Sequence, residues 1–304
     1  MNVDDSVKQL VQAERWREFE EDEEEPLRAR SVKAARQTPR TEKIKASGAR
    51  VVEQSDEGEY EGPLASFFAD EMIVGKPTMV KSGKEATVYC CRSHPRMQAL
   101  TGHEWLAAKV YRSRENRSFK NYSVYQQGRT TMNTRMDKAI AQKSATGLAA
   151  QFGMWISAEY ETLSRLYAAG ADVPRPYAQA ESAILFDYYG EPGHAAPQLF
   201  HVNLTEEEVS PLFEQMKRNL ALMMEVDRVH GDLSPYNILY WQGALKIIDF
   251  PQAVDPMDNP DAYALFARDV ANIGTYFASY GITTDPNKLA FSLWMNSGRP
   301  RPKL

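Results

Sequence analysis

The sequence predicts an α+β chain of two lobes, an antiparallel-sheet lobe with one helix followed by a small helical lobe, all preceded by a disordered charged tail. Three observations carry this. Strand-like segments crowd residues 72–111 and return at 183–186, with one long helical pattern at 148–169 between them. From residue 205 onward helix signals dominate, interrupted by a single short hairpin. The first 60 residues hold 15 acidic and 11 basic side chains and few apolar ones, too few to offset the entropy of ordering them.

Global composition excludes more than it assigns. Net charge is −5 and 43% of the 304 residues are hydrophobic, ordinary for a globular protein. Beyond residue 60 the charges nearly balance, which gives no electrostatic case for nucleic-acid binding. No apolar run approaches the roughly 18 residues of a membrane span, and no leader-like apolar core opens the chain. The two cysteines, Cys90 and Cys91, are adjacent, so on a strand they face opposite sides and make poor disulfide partners. That pattern reads as a reducing, cytoplasmic compartment with no membrane partner.

The tail (1–60) contains the acidic run 20–25 and then a basic stretch; Leu10, Val11, Trp16 and Phe19 allow one short amphipathic helix. Its functional reading is a docking or autoregulatory arm, and its plain reading is a solvated segment. The folded part is expected over 61–304, with the first lobe at about 64–186, a hinge at 187–190 and the second lobe at 191–304.

Met72-Ile73-Val74 and Thr78-Met79-Val80 read as strand pieces, and Ala86 to Cys91 as a strand. Between them, Lys81-Ser82-Gly83-Lys84-Glu85 is a glycine turn that can present backbone N–H groups and a positive charge to a polyphosphate. Ala107-Ala108-Lys109-Val110-Tyr111 is an apolar strand with one lysine, which is costly to bury without an anionic partner. Residues 112–143 carry eight basic side chains with poor periodicity. They read as a long loop, either a phosphorylatable flap or an RNA-contacting patch, with the flap preferred.

Leu148, Phe152, Trp155, Leu163 and Leu166 recur at helical spacing, and Gly170 suits the left-handed position beyond the helix end. Glu159 lies near that apolar stripe and can face the sheet and Lys109. After Val173-Pro174-Arg175-Pro176, the strand Ala183-Ile184-Leu185-Phe186 leads to Asp187-Tyr188-Tyr189-Gly190, a hinge with backbone groups for an adenine edge. Thr205 with Glu208 fits a capping box and Pro211 can open the helical stretch, whose inward stripe includes Leu212, Met216, Leu220 and Met223. Asn259-Pro260 reads as the start of a helix reaching about residue 280, and a last short helix holds Leu289, Leu293 and Trp294.

The chemistry concentrates in residues 229–254. Two short apolar runs, Ile238-Leu239-Tyr240 and Leu245-Lys246-Ile247-Ile248, flank Trp241-Gln242-Gly243 and read as a hairpin. Asn237 enters its first strand and Asp249 leaves its second, so both reach the same end. Two hard oxygen donors there suit Mg²⁺, completed by substrate phosphates, with Mn²⁺ as an alternative. Asp232, five residues before Asn237 and two after His230, can accept a hydroxyl proton.

His230-x-Asp232-x-x-x-x-Asn237 with the later Asp249-Phe250 is a protein-kinase-like arrangement. The segments Ser82-Gly83-Lys84-Glu85-Ala86, Val229-His230-Gly231-Asp232-Leu233-Ser234, Ile248-Asp249-Phe250-Pro251-Gln252 and Arg268-Asp269-Val270-Ala271-Asn272 resemble, together, the RIO family of atypical protein kinases over about 64–280. The resemblance implies a two-lobed protein-kinase-like fold with ATP and Mg²⁺ between the lobes. It implies Ser82, Gly83 and Lys84 at the phosphates, Lys109 gripping them and paired with Glu159, and Asp187 and Tyr189 within the adenine segment. Asp232 becomes the catalytic aspartate, Asn237 and Asp249 the metal ligands, and Asp269 a brace of the catalytic loop. It further implies phosphoryl transfer to protein serine or threonine, including autophosphorylation, and a switch-like ATPase through phosphorylation of Asp249. Ribosomal-subunit or RNA partners follow from the resemblance alone, and the protein substrate stays unnamed. One departure stands out: residues 1–60 lack the periodicity for the winged helix that one subfamily carries.

Two rivals share parts of the pattern. Aminoglycoside- and choline-kinase-like phosphotransferases use a similar His-Gly-Asp-Leu and Ile-Asp-Phe, but need a larger helical lobe than the 55 residues after Asp249 provide. An assembly factor read by its nucleotide state is the other.

Overall fold

The structure, a computed structural model, describes residues 53–54, 60–112, 140, 142 and 144–302. The expected charged tail and the basic flap therefore lie almost entirely outside the described residues. A small ladder pairs β1 (Glu53–Gln54) with β2 (Tyr60–Glu61), and a five-residue helix, α1 (Ala65–Ala69), follows. β3 (Ile73–Ser82), β4 (Ala86–Ser93), a short helix α2 (Pro95–Thr101), β5 (Trp105–Tyr111), α3 (Ala145–Ala168), β6 (Pro176–Gln179) and β7 (Ala183–Asp187) complete the first lobe. The five longer strands form one antiparallel sheet in the order β3-β4-β5-β7-β6.

Alternation along those strands sorts side chains onto two faces. Leu106, Ala108, Ala183 and Leu185 join Phe67, Phe68 and Ile73 in an outer cluster. Tyr111 and Ile184 join Trp155 and Ile156 of α3 on the other face. Cys90 and Cys91 are both buried and free, as a strand alternation demands; Cys91 belongs to the outer cluster, while Cys90 pairs with Ala107.

A tight hairpin of β8 (Gly190–Glu191) and β9 (His194–Ala195) follows the hinge. Gly190 has φ 137°, and a Cβ there would sit 2.3 Å from the His194 carbonyl, so the turn closes only on glycine. The second lobe comprises α4 (Glu206–Glu225), the hairpin β10 (Ile238–Trp241) and β11 (Ala244–Ile247), α5 (Ala262–Ala278) and α6 (Pro286–Asn296). Met216, Leu220 and Met223 of α4 pack with Phe266, Val270, Ile273 and Phe277 of α5 and with Trp294 of α6. Methionine serves here as core filler, as its helical spacing predicts.

Several element boundaries differ from expectation, each for a physical reason. The two strand pieces at 72–80 are one bulged strand, because β4 pairs with both. Pro211 does not open α4: the helix begins at Glu206 behind the Thr205/Glu208 capping box, whose Thr205 amide donates to the Glu208 carboxylate at 2.8 Å. α5 starts two residues beyond Pro260, since the Asn259 side chain accepts from the Asp261 amide at 2.8 Å and closes a turn ahead of it. α2 has no buried residue and so no apolar stripe to reveal it; only His94 as N-cap, Pro95 and the left-handed Gly102 mark it.

Candidate active site

Lys109 is the pivot. β5 places it on the sheet face that meets α3, where it is only 9% exposed. Its ammonium donates to Glu159 Oε1 at 2.7 Å and to Asp249 Oδ1 at 2.5 Å, so it ties the sheet, α3 and the segment after β11 together. The other oxygen of Glu159, itself 1% exposed, accepts from the Tyr111 hydroxyl at 2.7 Å. Burial alone would lower the Lys109 pKa; Asp249 and Glu159 outweigh it and hold the ammonium above its ordinary value. α3 also reaches the same segment from its side, because Trp155 Nε1 donates to the Pro251 carbonyl at 3.1 Å.

The hairpin turn Gln242–Gly243 has positive φ at both residues, 50° and 80°, the turn that matches strand twist. It returns β11 against β10, and the Ile248 amide donates to the Asn237 carbonyl at 3.0 Å, which brings Asp249 beside Asn237. Asp249 itself has φ 70°, an uncommon backbone for a non-glycine residue and of the kind that persists at functional sites. Its side chain is 44% exposed. Burial works to raise its carboxyl, but the Lys109 ammonium, followed by His230 and Lys81, holds it below the usual carboxylate range.

Asp232 lies exposed at the loop before the hairpin. Asn237 Nδ2 donates to the Asp232 carbonyl at 2.8 Å and approaches its Oδ2 at 3.4 Å, which leaves the Asn237 amide oxygen for another ligand. Asp269 of α5 accepts from the Gly231 amide at 2.8 Å and the Leu233 amide at 3.0 Å, and fixes the loop on either side of Asp232. Burial pushes the Asp269 carboxyl up to about 7, against the pull of those two amides. His230 is buried beneath: its Nε2–H donates to the Ile248 carbonyl at 3.0 Å, its ring packs on Phe250, and burial pulls its pKa down to about 4, so it stays neutral.

Other sequence-derived candidates fall less simply. Lys84 sits exposed on the turn after Gly83, whose amide donates to the Ala86 carbonyl at 2.9 Å. Ser82 pairs with Thr87, in a row with Val110 of the outer cluster, and accepts from Arg112 at 2.6 Å. Its hydroxyl therefore faces away from Lys109, and a phosphate contact from Ser82 comes from its backbone. Asp187 pairs with Leu106 on that outer face; its carboxylate accepts from the Arg175 amide at 3.0 Å, the Tyr177 hydroxyl at 2.5 Å and the Tyr189 hydroxyl at 3.3 Å. With both side chains committed to each other, Asp187 and Tyr189 have backbone groups to offer an adenine. Sequence reading placed Lys81 in the glycine turn but could not tell which face it takes, because that depends on a strand register that only pairing reveals.

Among the described residues no cluster of three His, Cys, Asp or Glu side chains is placed to hold a metal. Asn237 and Asp249 supply two hard oxygens, so a cation here needs phosphate oxygens to complete its shell, which fits Mg²⁺.

Fold and cleft define the class: two-lobed, protein-kinase-like. The family is narrower. A family model described as RIO1, RIO domain, matches residues 87–289, and the chain belongs to that family. It is 29% identical over 204 residues to the serine/threonine-protein kinase RIO1 of Caenorhabditis elegans, covering 67% of this chain and 37% of the relative. It is 29% identical over 192 residues to a RIO-type serine/threonine-protein kinase Rio1 of Thermoplasma acidophilum, covering 63% and 95%. The chain thus spans well under half the length of the eukaryotic relative. Among solved structures, a Rio2 kinase–ADP/Mg²⁺–phosphoaspartate complex from Chaetomium thermophilum aligns with a TM-score of 0.54 at 19% identity, over 83% of this chain and 74% of that one. That likeness speaks to the fold.

Proposed function

We propose that this chain transfers the terminal phosphoryl group of ATP to serine or threonine hydroxyls of proteins, itself included. The observation that carries the reading is the convergence of Lys109, Glu159, Asn237 and Asp249 at one end of the hairpin, with Asp232 on the braced loop beside them. Its family relatives, named serine/threonine-protein kinases, support the same reading.

In this mechanism Lys109, positioned by Glu159, binds nucleotide phosphates and neutralises charge as the phosphoryl group moves. Asn237 and Asp249 would hold Mg²⁺, or Mn²⁺ in its place, which would supply positive charge against the phosphate oxygens. Asp232 aligns the acceptor hydroxyl and takes its proton, and Asp269 keeps that carboxylate in place. The backbone of residues 187–190 receives adenine.

A second reading rests on Asp249, which is ionised, half exposed and within the cleft. Its carboxylate attacks the γ-phosphorus, ADP leaves, and water later cleaves the acyl phosphate, a slow ATPase switch. A cytoplasmic setting is supported by the two free, buried cysteines.

γ-labelled ATP with Mg²⁺, with and without a generic protein acceptor and an aminoglycoside panel, tests these readings. Acid-stable label on protein supports hydroxyl transfer, and hydroxylamine-labile label supports the Asp249 route. Label on the small molecule overturns both. Asp232→Ala should lose transfer by roughly 10²–10⁴-fold and keep nucleotide binding; full activity in that variant would remove Asp232 from its role.

A further inference from the structure

β3 does not run in constant register against β4. Met79 pairs with Tyr89 but Lys81 with Val88, two steps on one strand against one on the other. A bulge of this kind re-aims the side chains beyond it. In unbroken register Lys81 would stand opposite Thr87, in the row that runs to Val110 and the outer cluster. The bulge moves it into the row Val88, Lys109, Ile184.

That row faces α3. Ile184 packs with Trp155 and Ile156, and Lys109 bonds Glu159. Directly opposed residues of an antiparallel sheet share a face, so Lys81 and Lys109 look into the same cleft from positions two strand spacings, about 10 Å, apart. Lys81 is exposed, and among the described residues it makes no ion pair that would occupy it. Its charge nonetheless reaches the Asp249 carboxyl, as one of the cations that offset burial there. The same register change turns Ser82 to the far face, where Arg112 takes its hydroxyl. One bulge thus exchanges a hydroxyl for an ammonium on the nucleotide side.

Resting on the phosphotransfer reading above, we propose that Lys81 is a second phosphate-binding cation, which grips the terminal phosphoryl group of the nucleotide from the same face of the sheet as Lys109. It then distinguishes ATP from ADP, because only the triphosphate extends past Lys109 towards Asp249.

Calorimetric titration of the full chain with a non-hydrolysable ATP analogue and with ADP, both with Mg²⁺, tests this in the parent and in Lys81→Met, Lys81→Arg and Lys84→Met. Losing one charge-assisted contact should weaken the analogue on the order of tenfold to a hundredfold in Lys81→Met. ADP affinity should stay within about twofold of the parent, since the contact is to the group ADP lacks. Lys81→Arg should restore most of the preference, and thermal unfolding should be unchanged because the side chain is exposed. Equal weakening of both nucleotides, no weakening, or loss of the preference in Lys84→Met instead overturns the assignment. A parent chain that binds neither nucleotide overturns the phosphotransfer reading beneath it, and that outcome is distinct from the others.

Discussion

Replacing Lys109 with methionine isolates the energetic centre of the cleft. The substitution keeps an unbranched chain of similar length and removes the charge, leaving Glu159, 1% exposed, without its cation. Breaking a buried pair by deleting one partner costs about 3–5 kcal/mol, since the survivor is an uncompensated buried charge. Asp249, with its side chain 44% exposed, keeps water and adds no more than about 1 kcal/mol. For a folded unit of this size each kcal/mol moves Tm by about 2–4 °C, so Lys109→Met should lower Tm by roughly 6–20 °C without nucleotide. Glu159→Gln alone keeps an amide oxygen to accept from Lys109 and turns an amide N–H to the Tyr111 hydroxyl oxygen, and should cost about 1 kcal/mol. The double variant removes both charges and keeps the Tyr111 contact, so it should recover most of the loss, with a coupling energy of about 2 kcal/mol or more. Denaturant unfolding of the four proteins measures the cycle. If Lys109→Met loses less than about 1 kcal/mol, or the two changes simply add within about 0.5 kcal/mol, the buried pair does not exist as described.

Two further predictions concern protons. Asp269, pushed up to about 7 from an ordinary 3.8, makes the folded chain take up a proton between pH 7 and 4, so its contribution to stability rises as pH falls through that window. Asp269→Asn should therefore lose about 2 kcal/mol relative to the parent at pH 5 compared with pH 7, and equal pH dependence in both would remove the assignment. His230 acts with the opposite sign. Its pKa, near 4 in the fold against an ordinary 6.5, leaves the unfolded chain to take up the proton, so stability present above pH 6.5 is lost towards pH 4, about 2 kcal/mol of it by pH 5. The His230 ring resonances should hold still in NMR titration from pH 8 to 5; a midpoint near 6.5 would show it solvated.

Much of the site was legible because its residues are close in sequence or lie on a periodic element. The His230–Asn237 spacing and the hairpin that follows it are local, and β10 and β11 fall within a residue of expectation because turn chemistry and apolar runs agree. Glu159 was placed by phase: Trp155 and Leu163 define the inward side of α3, and a residue between them at helical spacing shares it. Lys109 announced itself as a lone charge in an apolar strand.

Local sequence therefore determined the two-lobed α+β order, the hairpin, and the lysine, glutamate and carboxylates of the cleft, since periods of 2 and 3.6 and short loops are properties of neighbours along the chain. Only the tertiary structure decided which cation meets which carboxylate. The Lys109–Asp249 contact joins residues 140 positions apart, Asp187 spends its side chain on Arg175, Tyr177 and Tyr189, and Asp249 adopts its left-handed backbone where the second lobe meets the sheet. The bulge that aims Lys81 inward and Ser82 outward depends on β4 as well as on β3. A one-residue change of register reverses every side chain beyond it, and register belongs to the pair of strands, not to either one.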